Sequence, residues 1–274
     1  MNLLRRLVAT VGVVLLGACT GFGAPPKLEV KWTAGKTFKY HVHAVVNGTL
    51  ATAAGSLPVH ADQRVDEVVS VDSVDHGAGS LTITQTDADG KTLAYKMRVG
   101  GDGRILSGGQ STASRNLPTI PELDQPVPVL PGRPINPGDK WTTSYTRPNP
   151  LADGSVTQEL AGAYLREERL GATDVAVIEN KVAGQLDFSL DVWRLTGSPG
   201  VSTAPAGGQV AYRGTVNSTD TYWLEKSGSR VVKVTRKGHH SIAYDFSALQ
   251  QQGTGVGIDK LQFDGDVTIE QVAS

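Results

Sequence analysis

The chain's six histidines and one cysteine are the residue types most ready for metal or nucleophilic chemistry. His41 and His43 stand two apart and His239 and His240 are adjacent. Three or four imidazoles would meet if the strands carrying them were neighbours, and that is a donor set for a transition metal. Zinc sites normally show tighter ligand spacing or carboxylate company. Alternation also sets His41 and His43 on the polar face beside Lys39, so solvent-facing histidine is the simpler reading and no metal is assigned.

Carboxylates give no stronger signal. Asp87-Ala88-Asp89-Gly90 opens like a calcium loop, yet in that register the first and twelfth positions are Gln85 and Lys96, where carboxylates are required. A hairpin turn explains the same residues. Glu167-Glu168, flanked by Arg166 and Arg169, reads as a solvated charged strand or short helical face. A glycosidase pair needs two acids about 5 to 9 Å apart in a cleft, which sequence cannot place. No nucleophile elbow, Ser-x-x-Lys, His-Glu-x-x-His, P-loop or dinucleotide fingerprint occurs. No catalytic residue and no cofactor is therefore assigned. Asn47-Gly48-Thr49 and Asn217-Ser218-Thr219 fit the N-glycosylation pattern, a match that would be inert in a bacterial protein. Trp32, Trp141 and Trp223 read as packing residues, while Trp193 shares a parity with Asp187, Ser189 and Asp191 and is a candidate pocket lining.

The cysteine has a more definite place. Arg5 and Arg6 precede the apolar run Leu7 to Leu16, the layout of a secretory signal peptide and too short for a spanning helix. The run ends Leu16-Gly17-Ala18-Cys19. This resembles the lipobox of bacterial lipoproteins: an aliphatic residue, two small ones and a cysteine. The resemblance implies that Leu16, Gly17 and Ala18 are the recognition positions. It also implies that Cys19 receives the diacylglyceryl group and becomes the new N-terminus. Two acyl chains give stable anchoring where one is marginal. Leu4 and Leu7 do not extend Arg5-Arg6 into a twin-arginine motif, so the route is general secretion. Thr20 follows the cysteine, so the aspartate that marks inner-membrane retention in some Gram-negative bacteria is absent, and the sequence leaves inner or outer membrane undetermined.

Past residue 30 the dominant pattern is period-two alternation bounded by Gly and Asp, which predicts half-buried strands. Strands are expected over Phe38–Val46, Val65–Val74, Leu81–Thr86, Leu93–Val99, Val175–Val182, Leu186–Val192, Thr221–Leu224, Val231–Thr235 and Leu261–Ile269. Asp89-Gly90 predicts a two-residue type I′ turn, with Asp102-Gly103, Asp153-Gly154, Gly171-Ala172 and Ser227-Gly228 at similar junctions. Helix is conceivable only at Ala161–Leu170 and Phe246–Gln252. The expected fold is all-β and mainly antiparallel, a long-stranded meander or half-barrel. Its divisions are a signal peptide (1–18), a lipidated tether (19–29), a first β block (30–116), a proline-rich connector (117–137) and a second β block (138–274).

The connector holds seven of the 14 prolines, a density that excludes helix and central strand and favours extended backbone. The blocks open alike, Gly35-Lys36-Thr37-Phe38 and Gly138-Asp139-Lys140-Trp141, and read as tandem repeats or as one sheet crossed by a strap. A formal charge of −1 and 39% hydrophobic residues suit a folded protein with no nucleic-acid partner. The expected role is a non-catalytic, membrane-anchored binding or structural protein of the cell envelope, for a hydrophobic ligand or an envelope protein. The alternatives are a hydrolase with an acidic site assembled only in three dimensions, or a histidine metal module. The pattern is similar in class to lipid-carrying envelope lipoproteins with half-barrel folds, without the helices that cover their concave face.

Overall fold

The computed structural model describes residues 27–113, 125–148, 155–191, 209–247 and 260–274. Leu16, Gly17, Ala18 and Cys19 lie outside these, as do Trp193, Asp153-Gly154 and residues 248–252.

Among the described residues eleven strands form one antiparallel sheet: β1 (Thr37–Thr52), β2 (Gly55–Asp75), β3 (Ala78–Asp87), β4 (Thr92–Val99), β5 (Ile105–Ala113), β6 (Lys140–Pro148), β7 (Ser155–Leu170), β8 (Thr173–Asp191), β9 (Gln209–Glu225), β10 (Val231–Asp245) and β11 (Lys260–Ala273). Their order across the sheet is β5-β4-β3-β2-β1-β11-β10-β9-β8-β7-β6. Every neighbouring pair is consecutive in the chain except β1 with β11, which zip from Tyr40↔Ala273 to Ala51↔Gln262. The two outer strands, β5 and β6, are themselves consecutive in sequence. The sheet curls until they approach: Arg104, just before β5, donates from Nη2 to Thr143 Oγ1 on β6 at 2.6 Å and stacks 5.5 Å over Tyr145. The half-barrel expectation is met by this meander.

Alternation decides which face turns inward. Tyr40, Val42 and Ala44 of β1 are buried with Ile269 and Val267 of β11 and Val69 of β2, while Lys39, His41 and His43 face out. Toward one end the inner face packs into a continuous core of Leu81, Ile83, Tyr95, Val99, Ile178, Tyr222 and Leu224. Toward the other end lies a smaller cluster of Val156, Leu186, Tyr212, Val216 and Ile242.

Two non-strand segments close the first end. Residues 27–36 cross it, pinned by Val30 N to Gly101 O and Lys31 N to Gly228 O, both 2.8 Å. Over its described residues the proline-rich connector goes inside the curl: Gln125 to Leu130 are all buried, and Val127, Val129, Leu130 and Ile135 join the main core. Burying an aliphatic side chain stabilises by roughly 1.5–3 kcal/mol, so the strap is part of what holds the curl closed. Proline suits a buried strap because it brings no N–H needing a partner. Of the donors that remain, Leu130 N bonds Asp102 O at 2.8 Å and Val129 N bonds the Asn180 side-chain oxygen at 2.8 Å. At Gly103, with φ +83°, a Cβ would sit 1.9 Å from Pro128 O, so only glycine lets the strap pass this close.

Two local expectations are corrected. Ala161–Leu170 is not helix but the second half of β7, where a bulge between Tyr164 and Arg166 interrupts the alternation. Asp89-Gly90 is not a type I′ turn: Asp89 keeps negative φ, and Asp87 Oδ1 accepts from Asp89 N and Lys91 N across a longer loop. Positive φ at two successive residues, as that turn requires, occurs instead at His76 (47°) and Gly77 (79°) between β2 and β3.

Candidate functional site

The inner face carries a layer of polar side chains at the height of the strap, an unusual cost in a core unless each has a partner. Register places Arg236 of β10 opposite Asp220 of β9. Arg236 Nε lies 3.0 Å from Asp220 Oδ1, and both side chains are 4% exposed. Arg236 Nη2 donates to Tyr222 Oη and to the Gln125 carbonyl, each at 3.2 Å, and Tyr222 Oη donates to Asp220 Oδ2 at 3.1 Å. Gln125 completes the clamp: its Nε2 donates to Gly103 O (2.9 Å) and Val127 O (2.7 Å), and its Oε1 accepts from Tyr145. One glutamine therefore ties the strap to β6, to β10 and to the turn before β5.

A second unit lies across β2, β3 and β11. Glu67 accepts from Gln85 Nε2 at Oε2 and from Gln271 Nε2 at Oε1, both 2.9 Å. Burial pushes its carboxyl up to about 7, against the opposing pull of the Gln85 hydrogen bond and the Arg236 charge. Burial likewise raises the Tyr40 and Tyr222 hydroxyls far above their ordinary value.

The carboxylates of this layer have partners within the protein. Glu67 faces two amides rather than a second carboxylate, and the Asp220 charge is met by Arg236. Next to the clamp the inner face leaves a cavity of about 20 Å³, lined by Gln125, Asn180, Asp220, Arg236 and Leu160 among others. That holds about one water and is far below the few hundred cubic ångströms of a ligand site. Among the described residues the outer face carries larger hollows, including one of about 690 Å³ across β6 to β9 walled by Thr142, Ser144, Glu159, Ala161, Lys181 and Asn217.

The histidines do not converge. His41 bonds Asp66 at 2.7 Å and His43 bonds Asp62 at 2.9 Å, on the outer face of β1 and β2. His239 lies two strands away on β10, with Asp266 at 3.0 Å and Asp264 at 3.5 Å. His240 points inward and is 2% exposed. No cluster of three metal-binding side chains occurs among the described residues. The Asp266 hydrogen bond holds the His239 imidazolium above its ordinary range. Glu167 bonds Lys226 at 2.6 Å and Tyr164 at 3.0 Å, and Glu168 bonds Arg166 and Trp223, so the acidic pair is held in surface contacts on β7. Trp141 is buried against Gly162, and Trp32 lies over Gly79 and donates to Gly100 O.

Sequence reasoning missed Arg236, Asp220, Glu67 and Gln125. Their signal was a charged or amide residue at an inward parity, as Arg236 is between Val234 and Gly238. It is legible only once the strands' full lengths are known.

No protein-family model matches the chain, and no curated protein does. Among solved structures, the hypothetical lipoprotein YmcC from Escherichia coli (K12) aligns over 86% of this chain and 83% of its own, at 12% identity and a TM-score of 0.29. At that score the likeness carries no argument.

Proposed function

We propose that this chain is an extracytoplasmic lipoprotein, anchored in a cell-envelope membrane through a diacylglyceryl group on Cys19, with a non-catalytic binding or structural role. The observation that carries the location is Leu16-Gly17-Ala18-Cys19 at the end of a ten-residue apolar run, with the chain's only cysteine at its close. What supports the role is the interior. A half-barrel that carried a hydrophobic molecule would keep its inner face free, whereas here the strap and the Arg236–Asp220–Gln125 clamp occupy it. Recognition is assigned to the outer face, where the described residues form hollows of about 690 and 670 Å³, and to an envelope protein or polymer as partner.

Intact-mass measurement of the membrane-extracted protein beside its Cys19→Ser variant tests this reading. A mass matching cleavage before residue 19 plus diacylglyceryl, absent from the variant, supports the anchor, and an unmodified mass removes it. A lipid adduct retained by the folded domain would restore the carrier reading.

A further inference from the structure

The anchor and the fold together fix which way the molecule stands. Residues 27–36 are held against one end of the sheet by Val30 N to Gly101 O and Lys31 N to Gly228 O. Gly228, at φ +75°, leaves room for Glu29 O where a Cβ would come within 2.2 Å. The chain thus leaves the fold beside the turns at Gly101, Gly228 and Gly171-Ala172, the last joined to the second through Lys226 N to Asp174 O at 3.1 Å. Only Thr20 to Pro26 separate Cys19 from Lys27, and seven residues span at most about 25 Å. The tip of the β1–β2 hairpin is at the other end of a 16-residue strand, about 50 Å away.

Charge separates an upright from a flat placement. The pinned segment carries Lys27, Lys31 and Lys36 against Glu29, and of the carboxylates in the turns beside it Asp75, Asp102, Glu167 and Glu225 are matched by Arg98, Arg104, Lys226 and Arg230, leaving Asp174, so the end keeps a small cationic excess that anionic headgroups attract. The outer face of β2, β1 and β11 presents Asp62, Asp66, Asp264, Asp266 and Glu270, more carboxylates than cations, which the same headgroups repel. We infer that the strapped end, with residues 27–36 and the Gly171-Ala172 turn, is a lipid-facing surface, and that the β1–β2 hairpin projects away from the membrane. This rests on the lipid attachment proposed above.

The test uses the full lipidated chain, whose own cysteine is blocked by its thioether, so an added cysteine takes a fluorophore alone. Ala172→Cys and Ala53→Cys are both in exposed turns, at opposite ends. Each is reconstituted in phosphatidylglycerol vesicles containing a nitroxide-headgroup phosphatidylcholine. Loss of most fluorescence at 172 with little at 53 is the expected result. Equal quenching means the molecule lies flat, and stronger quenching at 53 means it is inverted; either overturns the inference. Ser73→Cys and Ala54→Cys repeat the comparison if a first variant fails to fold. Intact mass taken beforehand separates the two levels: unlipidated protein removes the anchor, whereas lipidated protein with the wrong quenching removes only the orientation.

Discussion

Arg236 and Asp220 face each other across β10 and β9 with Nε 3.0 Å from Oδ1, both all but sealed from solvent, and the same guanidinium holds the strap through the Gln125 carbonyl. Removing one partner strands a buried charge, which costs about 3–5 kcal/mol, while replacing both with apolar residues of similar volume is often close to neutral. Arg236→Met and Asp220→Asn are each expected to cost about that much in urea unfolding. The double variant Arg236→Met/Asp220→Asn is expected to cost much less than the two losses added together. Simple additivity would show that the pair is not energetically coupled.

Glu67 makes an opposite demand on pH from most carboxylates. Its folded value of about 7 is above the 4.5 of an exposed glutamate. Below about pH 4.5 it is protonated in both the folded and the unfolded chain, and burial carries no charge penalty. Between 4.5 and 7 the unfolded chain ionises first, so stability falls as pH rises, by about 3 kcal/mol at most, and levels off above 7. Glu67→Gln keeps the shape without the ionisation. The stability difference between variant and parent should therefore widen in the variant's favour from pH 4.5 to 7. A difference that stays flat across that window shows Glu67 to be charged throughout.

The fold was legible where one face is apolar and the other polar, as in Phe38–Val46 or Leu93–Val99, because period-two alternation is a direct consequence of burying one face. Strand lengths were not. β9 runs over Gln209–Glu225, but alternation reads only from Thr221, because inward positions such as Gly214, Ser218 and Asp220 break the apolar series. β6 was hidden for a related reason, since Thr143 and Tyr145 face inward and a tryptophan marks only its start. That the connector is neither helix nor central strand was readable from its prolines, and residues 125–137 are neither. Its burial was not, because composition says nothing about what lies opposite. The clamp was invisible for the same reason: Gln125 and Arg236 are 111 residues apart and meet only through the strap.

Glycine at position 103 separates conformational strain from crowding. Gly35 and Gly103 both have positive φ, 77° and 83°, but an added Cβ meets nothing within 4 Å at the first and Pro128 O at 1.9 Å at the second. Gly35→Ala is expected to cost about 1 kcal/mol, the ordinary penalty for a side chain in left-handed backbone. Gly103→Ala adds overpacking against the strap, for a total of about 3 kcal/mol or more. Thermal unfolding of the two variants side by side measures the gap. Equal losses would mean that the strap yields freely over Gly103 and does not stiffen the closed end.

His239 titrates against carboxylates on β11 rather than on its own strand. Its Nδ1 is 3.0 Å from Asp266 Oδ1 and its Nε2 is 3.5 Å from Asp264 Oδ1, and the Asp266 hydrogen bond is the larger cause of its raised pKa. Because the folded value is above the unfolded one, the pair's contribution is fully present below about pH 6.5 and is lost as pH rises through the folded value. The ring is about half exposed, so the effect on stability is small and salt-screened. Its signature is spectroscopic: in an NMR titration the His239 ring protons should shift with a midpoint above 6.5. Asp266→Asn should lower that midpoint more than Asp264→Asn does. The reverse ranking would place the imidazolium on Asp264, with the ring turned about its Cβ–Cγ bond.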